Sequence, residues 1–535
     1  MPTLDWIGKQ AVVNHHREVP FHLLRDVPDL SVGDPGTGNL IVEGDNLTAL
    51  KALLPYYAGQ VKCIYIDPPY NTGNEGWVYN DNVNSPLIKE WLGKTVGKEA
   101  EDLSRHDKWL CMMYPRLAVL REFLSSDGVI FISIDDNEAF HLQCLLCALF
   151  GEQNFVTDIA WHKRVSPAND AKYFSTDHDH ILVFARDKGR WRPNRVPRSA
   201  EQLKYYSNPD GDPRGTWNSA AYTCAKTAAE RPNLYYPIIN PNTGAEIWPS
   251  KIRVWAYDRD RHRKNDAEGL IWWGKNGQAR MPRLKKFLGG RDVVPRSIWS
   301  HTDAGHNQEA NLELSAILPN SHFDTPKPSR LVERILQVST EPNSLVLDSF
   351  AGTGTTGHAT LKLNKQDGGN RRFILVEMEP KIAREITAER VKRVAQGYTN
   401  AKGKEVAGLG GGFRYCRLGD PLFDSGGRIR DTVRFADLAR HVYFTETGEP
   451  LPRERVPNSP LLGVCRGVAV YLLYNGILGD KSAAGGNILT RAVLARLPSF
   501  DGPKAIYAAG CLLDPVRLRS QGIVFRQTPY EIRVA

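Results

Sequence analysis

Five short apolar runs in this chain each lead into an acidic residue at the start of a turn. They are Leu40–Glu43 before Gly44-Asp45, Val61–Ile66 before Asp67, 128–134 before Asp135-Asp136, 344–347 before Asp348, and 373–376 before Glu377. Between them lie stretches whose apolar residues recur at helical spacing. Leu47, Leu50, Leu53 and Leu54 form one stripe; Leu331, Ile335 and Val338 form another. Helices are expected over 108–124, 329–338 and 381–394, and a further strand over 181–184. Apolar strands alternating with amphipathic helices predict a parallel α/β sheet. Ligands of such sheets bind at the carboxyl ends of the strands, which is where these acidic residues fall.

The pattern is interrupted. From about 189 to 310, Pro, Gly, Asn, Arg and Trp are frequent and periodicity is poor, which predicts an irregular inserted domain. The stretch 401–412 (AKGKEVAGLGGG) reads as a linker to a last segment of mixed strands and helices, 413–535. A length of 535 residues is compatible with three or four such units. The eight cysteines are scattered, which suits a reduced cytoplasmic protein. Cys144 and Cys147 sit in an apolar helix without a second ligand pair, so they read as structural thiols, and no metal is expected. No run approaches the roughly 20 apolar residues of a membrane helix, and the N-terminus does not read as a signal peptide.

The formal charge is +9. Its location matters more than its size. Residues 251–300 carry thirteen Lys or Arg against five Asp or Glu, together with Trp255, Trp272, Trp273 and Trp299. Basic residues interleaved with aromatics suit phosphate contacts and base stacking. A solvated basic face around a small aromatic core fits the same composition.

Two motifs stand at strand ends. Asp67-Pro68-Pro69-Tyr70 joins a carboxylate, a stiff loop with free carbonyls and a flat aromatic face. That set suits an exocyclic amino group on a flat base. Asp348-Ser349-Phe350-Ala351-Gly352-Thr353-Gly354-Thr355 is a glycine turn opening a helix, where backbone can approach a ligand closely. Glu377 ends the next strand, where Rossmann-like sheets hold a ribose. No Gly-Lys-Ser/Thr follows the turn, so no ATP site and no DNA translocation are expected of this chain.

These motifs together resemble the S-adenosylmethionine-dependent amino-methyltransferases of DNA. The half with D-P-P-Y precedes the half with F-A-G-T-G-T, as in their beta class. Residues 39–50 (NLIVEGDNLTAL), the run Asp324-Thr325-Pro326-Lys327-Pro328 and residues 522–530 (GIVFRQTPY) are similar to the modification (Mod) subunits of type III restriction–modification systems. The resemblance implies a Rossmann-like methyltransferase sheet in circularly permuted order. A catalytic half (1–188) and a cofactor half (311–400) would flank a DNA-recognition insert (189–310), with a C-terminal α+β domain (413–535). It implies that Asp67 and the Pro68 carbonyl accept hydrogen bonds from the target amine, that Pro69 stiffens the loop, and that Tyr70 stacks on a flipped base. Phe350, Gly352, Gly354 and Thr355 would line the cofactor pocket. Asp348 would hold the methionine end, Glu377 the ribose and Asp45 the adenine, while Lys327-Pro328 would close the pocket. Lys285 and Lys286 are the expected phosphate contacts. Double-stranded DNA, a second copy of the chain and a restriction (Res) subunit are the implied partners.

An adenine N6 lone pair is delocalised into the ring, so the amine is a poor nucleophile. Two acceptors can draw it toward tetrahedral geometry, and alignment supplies much of the rate. Asp at position 67 favours adenine N6 over the alternative, cytosine N4, where Ser is usual. RNA or protein methylation, where Asn often stands first, fits the basic insert less well. A silent DNA-binding assembly subunit fits poorly with intact motifs. His178-Asp179-His180, with His162 upstream, reads as polar packing, and Asp135 and Asp136, at a strand end near the expected pocket, read as a helix cap or a substrate contact.

Overall fold

The computed structural model describes residues 4–72, 93, 104–169, 171–198, 200–289, 292–319, 321, 323, 325–400, 402–451, 456, 458–479 and 486–529. Asp324, Ala401 and Tyr530, which belong to runs quoted above, lie outside the described residues. The chain divides into two compact units, Met1–Asn194 with Arg296–Ala535, and Arg195–Pro295.

The larger unit is built on a ten-stranded sheet. Its strands, in chain order, are β1 (His22–Asp26), β2 (Leu40–Glu43), β3 (Val61–Ile66), β4 (Leu124–Ile134), β5 (Phe155–His162), β6 (His178–Ala185), β7 (Ile298–Trp299), β8 (Leu345–Asp348), β9 (Arg372–Glu377) and β10 (Arg414–Pro421). Across the sheet they run β1-β10-β2-β9-β8-β3-β4-β6-β5-β7. The six strands from β10 to β4 are parallel. The sheet is therefore mixed rather than all parallel: β6 runs antiparallel to both β4 and β5, and β1 antiparallel to β10.

The central strands are apolar on both faces because both faces are covered. Val42, Ile64, Leu347 and Ile374 pack into one core with the helices Asn46–Tyr57, Arg105–Phe123 and Ala139–Phe150. Ile41, Phe373, Leu375 and Tyr415 face a second core with the helices Thr355–Asp367 and Glu389–Gln396. Gly357 lets the first of these lie close to the sheet: a Cβ there would stand 3.1 Å from Leu375 and 3.0 Å from Val391. Local chemistry starts the helices. Ser104 and Asp107 form a capping box, and Asp45 caps Asn46–Tyr57.

Three expectations change. The helix expected over 381–394 contains a π-helical turn, Ala383–Ala388. This widened turn brings Thr387 to the Gly352 carbonyl, 2.5 Å away, a placement that periodicity cannot reveal. The stretch 401–412 is no linker. Gly397–Thr399 and Glu405–Ala407 form a hairpin, and Gly412 lies so close to Val32 that a Cβ would meet its carbonyl oxygen at 2.2 Å. Nor is 413–535 set apart: β10 joins the main sheet, and helix Phe435–Thr447 buries Leu438 and Val442 in its core. A second sheet of Leu461–Cys465, Val468–Leu472, Lys504–Ala508 and Ile523–Gln527 follows. None of the eight cysteines forms a disulfide, and no helix among the described residues is long and apolar enough to cross a membrane.

The smaller unit holds a three-stranded antiparallel sheet, Ile271–Trp272, Arg283–Phe287 and Trp217–Ala221, and the helices Ala200–Leu203 and Arg259–Ala267. The flanking Ile298–Trp299 and the helix His301–Ala304 belong to the larger unit.

Leu347 is fully buried beneath the site, between β9 and β3. Leu347→Ala is expected to cost about 2–5 kcal/mol by leaving a cavity. The urea midpoint measures it, and an unchanged midpoint contradicts this packing.

Candidate functional site

Pairing of β8 with β3 sets Leu347 opposite Ile64, which brings the ends of these two strands, Asp348 and Asp67, to one edge of the sheet. A cleft with about 330 Å³ of empty space opens there. It is lined by Asp67, Lys327, Asp348, Phe350, Gly352 and Thr355, joined by Tyr65, Phe323, Thr325, Pro326, Ala351, Thr353 and Thr356. The two motifs, some 280 residues apart in the sequence, thus share one cavity.

The Asp67 loop is braced from below. Trp109, fully buried, donates its indole N–H to the Pro69 carbonyl at 2.7 Å. Asn71 adopts a left-handed φ of 58° and donates to the Arg105 carbonyl and to buried Glu138. Asn tolerates that backbone better than most residues. Asp67 Oδ2 accepts from Lys327 Nζ at 2.6 Å, while Oδ1 is buried with no hydrogen-bond partner. Burial pushes the Asp67 carboxyl above its usual range, against the pull of Lys327. The Lys327 ammonium also lies 4.8 Å from the centre of the Tyr70 ring. The Tyr70 hydroxyl donates to Asp179 at 3.3 Å, and Lys163 Nζ holds the other oxygen of Asp179 at 2.5 Å.

The glycine turn is fixed by buried acids and by Arg390. Asp348 accepts from the Phe350 N–H at 3.0 Å and from the Thr356 hydroxyl at 2.5 Å. Glu377 accepts from the Gly352 N–H and the Glu379 N–H, both at 2.9 Å. Gly352 and Gly354 have φ of 48° and 73°, and a Cβ on Gly354 would stand 3.0 Å from the Thr387 carbonyl oxygen. Arg390, fully buried, donates to Thr353 and Thr355 at 2.8 Å each and pairs with Glu313 at 3.0 Å.

Asp45 is not among the cleft residues. Its carboxylate caps its helix through the Thr48 N–H and pairs with buried Arg116 at 2.9 Å. Glu377 and Gly354 stand behind the cleft as supports. Asp179, Lys163, Trp109 and Arg390 were missed by motif reading. Asp179 carried no signal of its own: only the antiparallel run of β6 brings the start of that strand to this edge. His180 itself bonds Asp158 at 2.8 Å and Asp136 at 3.0 Å, and the Asp158 bond raises its pKa to about 9. Asp135 accepts from Asn137, two residues on, rather than from the helix that follows.

In the smaller unit, Lys285 is an internal ion-pair partner rather than an exposed phosphate contact. It pairs with Asp210 and with Asp212 (2.9 Å), and only 9% of its side chain is exposed. Lys286, next to it on the strand, is exposed. Trp255 and Trp273 form the core of this unit, and Trp299 is buried in the larger one, so these three offer no free stacking face.

Burial raises the Asp348 carboxyl from 3.8 to about 7. The folded chain therefore keeps a proton that the unfolded chain releases near pH 4. That contribution to stability is complete below pH 4 and is lost as pH rises through 7. Asp348→Asn is expected to shrink the fall in melting temperature between pH 5 and pH 8. Calorimetry that gives both proteins the same fall contradicts a buried, protonatable Asp348.

The N6_N4_Mtase family model, described as DNA methylase, matches residues 61–389. The chain is 32% identical over 471 residues to the type III restriction-modification enzyme StyLTI Mod subunit of Salmonella typhimurium, covering 83% of this chain and 70% of that one. It is 31% identical over 424 residues to the EcoPI Mod subunit of Escherichia phage P1, covering 70% and 63%. Among solved structures, the PvuII DNA methyltransferase (cytosine-N4-specific) is similar at 13% identity with a TM-score of 0.34, covering 66% of this chain and 86% of that one.

Proposed function

The chain belongs to the N6/N4 DNA methylase family, and from that premise we propose that it transfers a methyl group from S-adenosylmethionine to adenine N6 in duplex DNA, as the Mod subunit of a type III restriction–modification system. One observation carries the reading. Asp67, whose Oδ1 has no hydrogen-bond partner, lines the same cleft as the glycine turn after Asp348, and Lys327 of that cleft lies over the Tyr70 ring. In this reading the chain works as a homodimer with a Res subunit, and residues 189–310 read the DNA sequence.

The residues present fit the cofactor. Asp348 suits an ammonium, Lys327 a carboxylate, and Phe350 offers an apolar wall. Glu377 holds the turn from behind through the Gly352 N–H. S-adenosylmethionine, when bound, supplies a methyl group already activated by its sulfonium. The chain's own part is geometric. Asp67 Oδ1 and the Pro68 carbonyl accept the two N–H groups of the target amine and localise its lone pair. Tyr70, held at its hydroxyl by Asp179, stacks on the base. The acceptors lie where positive charge develops on nitrogen, so they favour the transition state over the ground state. Asp67 need not take a proton before the methyl moves.

The test is transfer of labelled methyl to duplex DNA by the purified chain, followed by nuclease digestion. N6-methyladenine is the expected product; N4-methylcytosine overturns the base assignment. Asp67→Ala is expected to lower kcat by about 10²–10³. Retention of more than a tenth of the activity removes Asp67 from its role.

The exposure of Lys286 supports a phosphate contact there and not at Lys285. Lys286→Glu is expected to weaken binding to all sequences and to flatten the plot of log affinity against log salt by about 0.9. Lys285→Met is expected to leave that slope alone while lowering stability, because it removes the cation that Asp210 and Asp212 share. The opposite pattern in filter binding across a salt series would return the contact to Lys285.

A further inference from the structure

Lys327 stands where the target amine is needed. Its ammonium is 2.6 Å from Asp67 Oδ2 and 4.8 Å from the centre of the Tyr70 ring. A nitrogen that donates to Asp67 over a Tyr70 face is also the description of a stacked base's amino group. A cation in that position repels the positive charge that builds on the amine during transfer, so Lys327 has to leave Asp67 before the reaction. Lys327 is the single cationic side chain among the described residues lining the cleft. The Thr355 hydroxyl donates to the Lys327 carbonyl at 3.2 Å, which ties its backbone to the glycine turn. The four-carbon stem of a lysine can swing while that anchor stays fixed.

We propose that Lys327 is a shared positioning residue: it neutralises Asp67 while the cleft lacks a cofactor and transfers to the methionine carboxylate when the cofactor binds, so that the base slot opens only in the loaded enzyme. The proposal rests on the cofactor assignment made above. Its consequence is a coupling between two sites. The cofactor and Asp67 compete for one cation, and by linkage whatever weakens Lys327's hold on Asp67 strengthens the cofactor. Loss of a catalytic carboxylate should therefore improve cofactor binding, which is opposite to the effect of a general loss of structure.

Calorimetric binding to the full-length chain tests this without any need to know the DNA sequence recognised. The ligands are S-adenosylhomocysteine and 5′-methylthioadenosine, which share the nucleoside and thioether but differ in the amino-acid end. Asp67→Asn is expected to bind S-adenosylhomocysteine roughly three- to tenfold more tightly than wild type, the range of about one ion pair. It should leave 5′-methylthioadenosine unchanged. Lys327→Met is expected to weaken S-adenosylhomocysteine by a similar factor. In that background Asp67→Asn should have no further effect. Asp67→Ser gives the same reading should the Asn variant not fold. Equal affinity of wild type and Asp67→Asn for S-adenosylhomocysteine overturns the sharing of Lys327. So does equal tightening of both ligands, which would be a general charge effect. Absence of S-adenosylhomocysteine binding in a folded wild type is a different result: it overturns the cofactor assignment itself.

Discussion

The contact between Lys327 and Asp67 joins two segments 260 residues apart, and the site takes its shape around it. One partner ends the strand of the first motif; the other precedes the helix that leads into the second. A largely buried carboxylate is costly unless something offsets its desolvation. Lys327 does so at one oxygen only. The other oxygen remains an acceptor without a donor, and the chemistry assigned to the site follows from that imbalance. Buried polar groups are nearly always hydrogen-bonded, so the exceptions tend to mark function.

The surrounding structure holds that imbalance in place. The sheet places β8 beside β3 and so sets the two strand ends together. Behind them is a layer of hydrogen-bonded buried groups: Trp109 on Pro69, Asn71 on Glu138, Glu377 on Gly352, and Arg390 on Thr353 and Thr355. Each fixes a backbone or hydroxyl that cannot move without stranding a buried partner. Rigid support beneath and an under-satisfied carboxylate at the surface of the cleft are what alignment-based catalysis needs.

Much of this was legible in the sequence. The apolar runs ending in acids located β2, β3, β4, β8 and β9, because buried strands and the turns that end them have strong local signatures. The two motifs were found for the same reason. What escaped depended on contacts distant in sequence. Asp179 looks like any polar residue before a strand, until β6 is seen to run antiparallel and deliver it to Tyr70. Lys285 looks like its neighbour Lys286, yet their side chains leave opposite faces of a strand, and one of them meets Asp210 and Asp212. The π-helical turn that carries Thr387 to Gly352 has no periodic signature at all. Asp45 was legible as a strand-end acid, but its partner Arg116 was not, and that partner accounts for its carboxylate.

The proposed function stands on Asp67 presenting a base's exocyclic amine for methylation. The most direct measurement is sequencing for modified bases of DNA from a methylation-free host that expresses the chain, beside the same host expressing Asp67→Ala. The account predicts N6-methyladenine at one short recurring sequence in the first DNA and none in the second. Modified cytosine in its place, or adenine methylation that survives loss of the carboxylate, would contradict it.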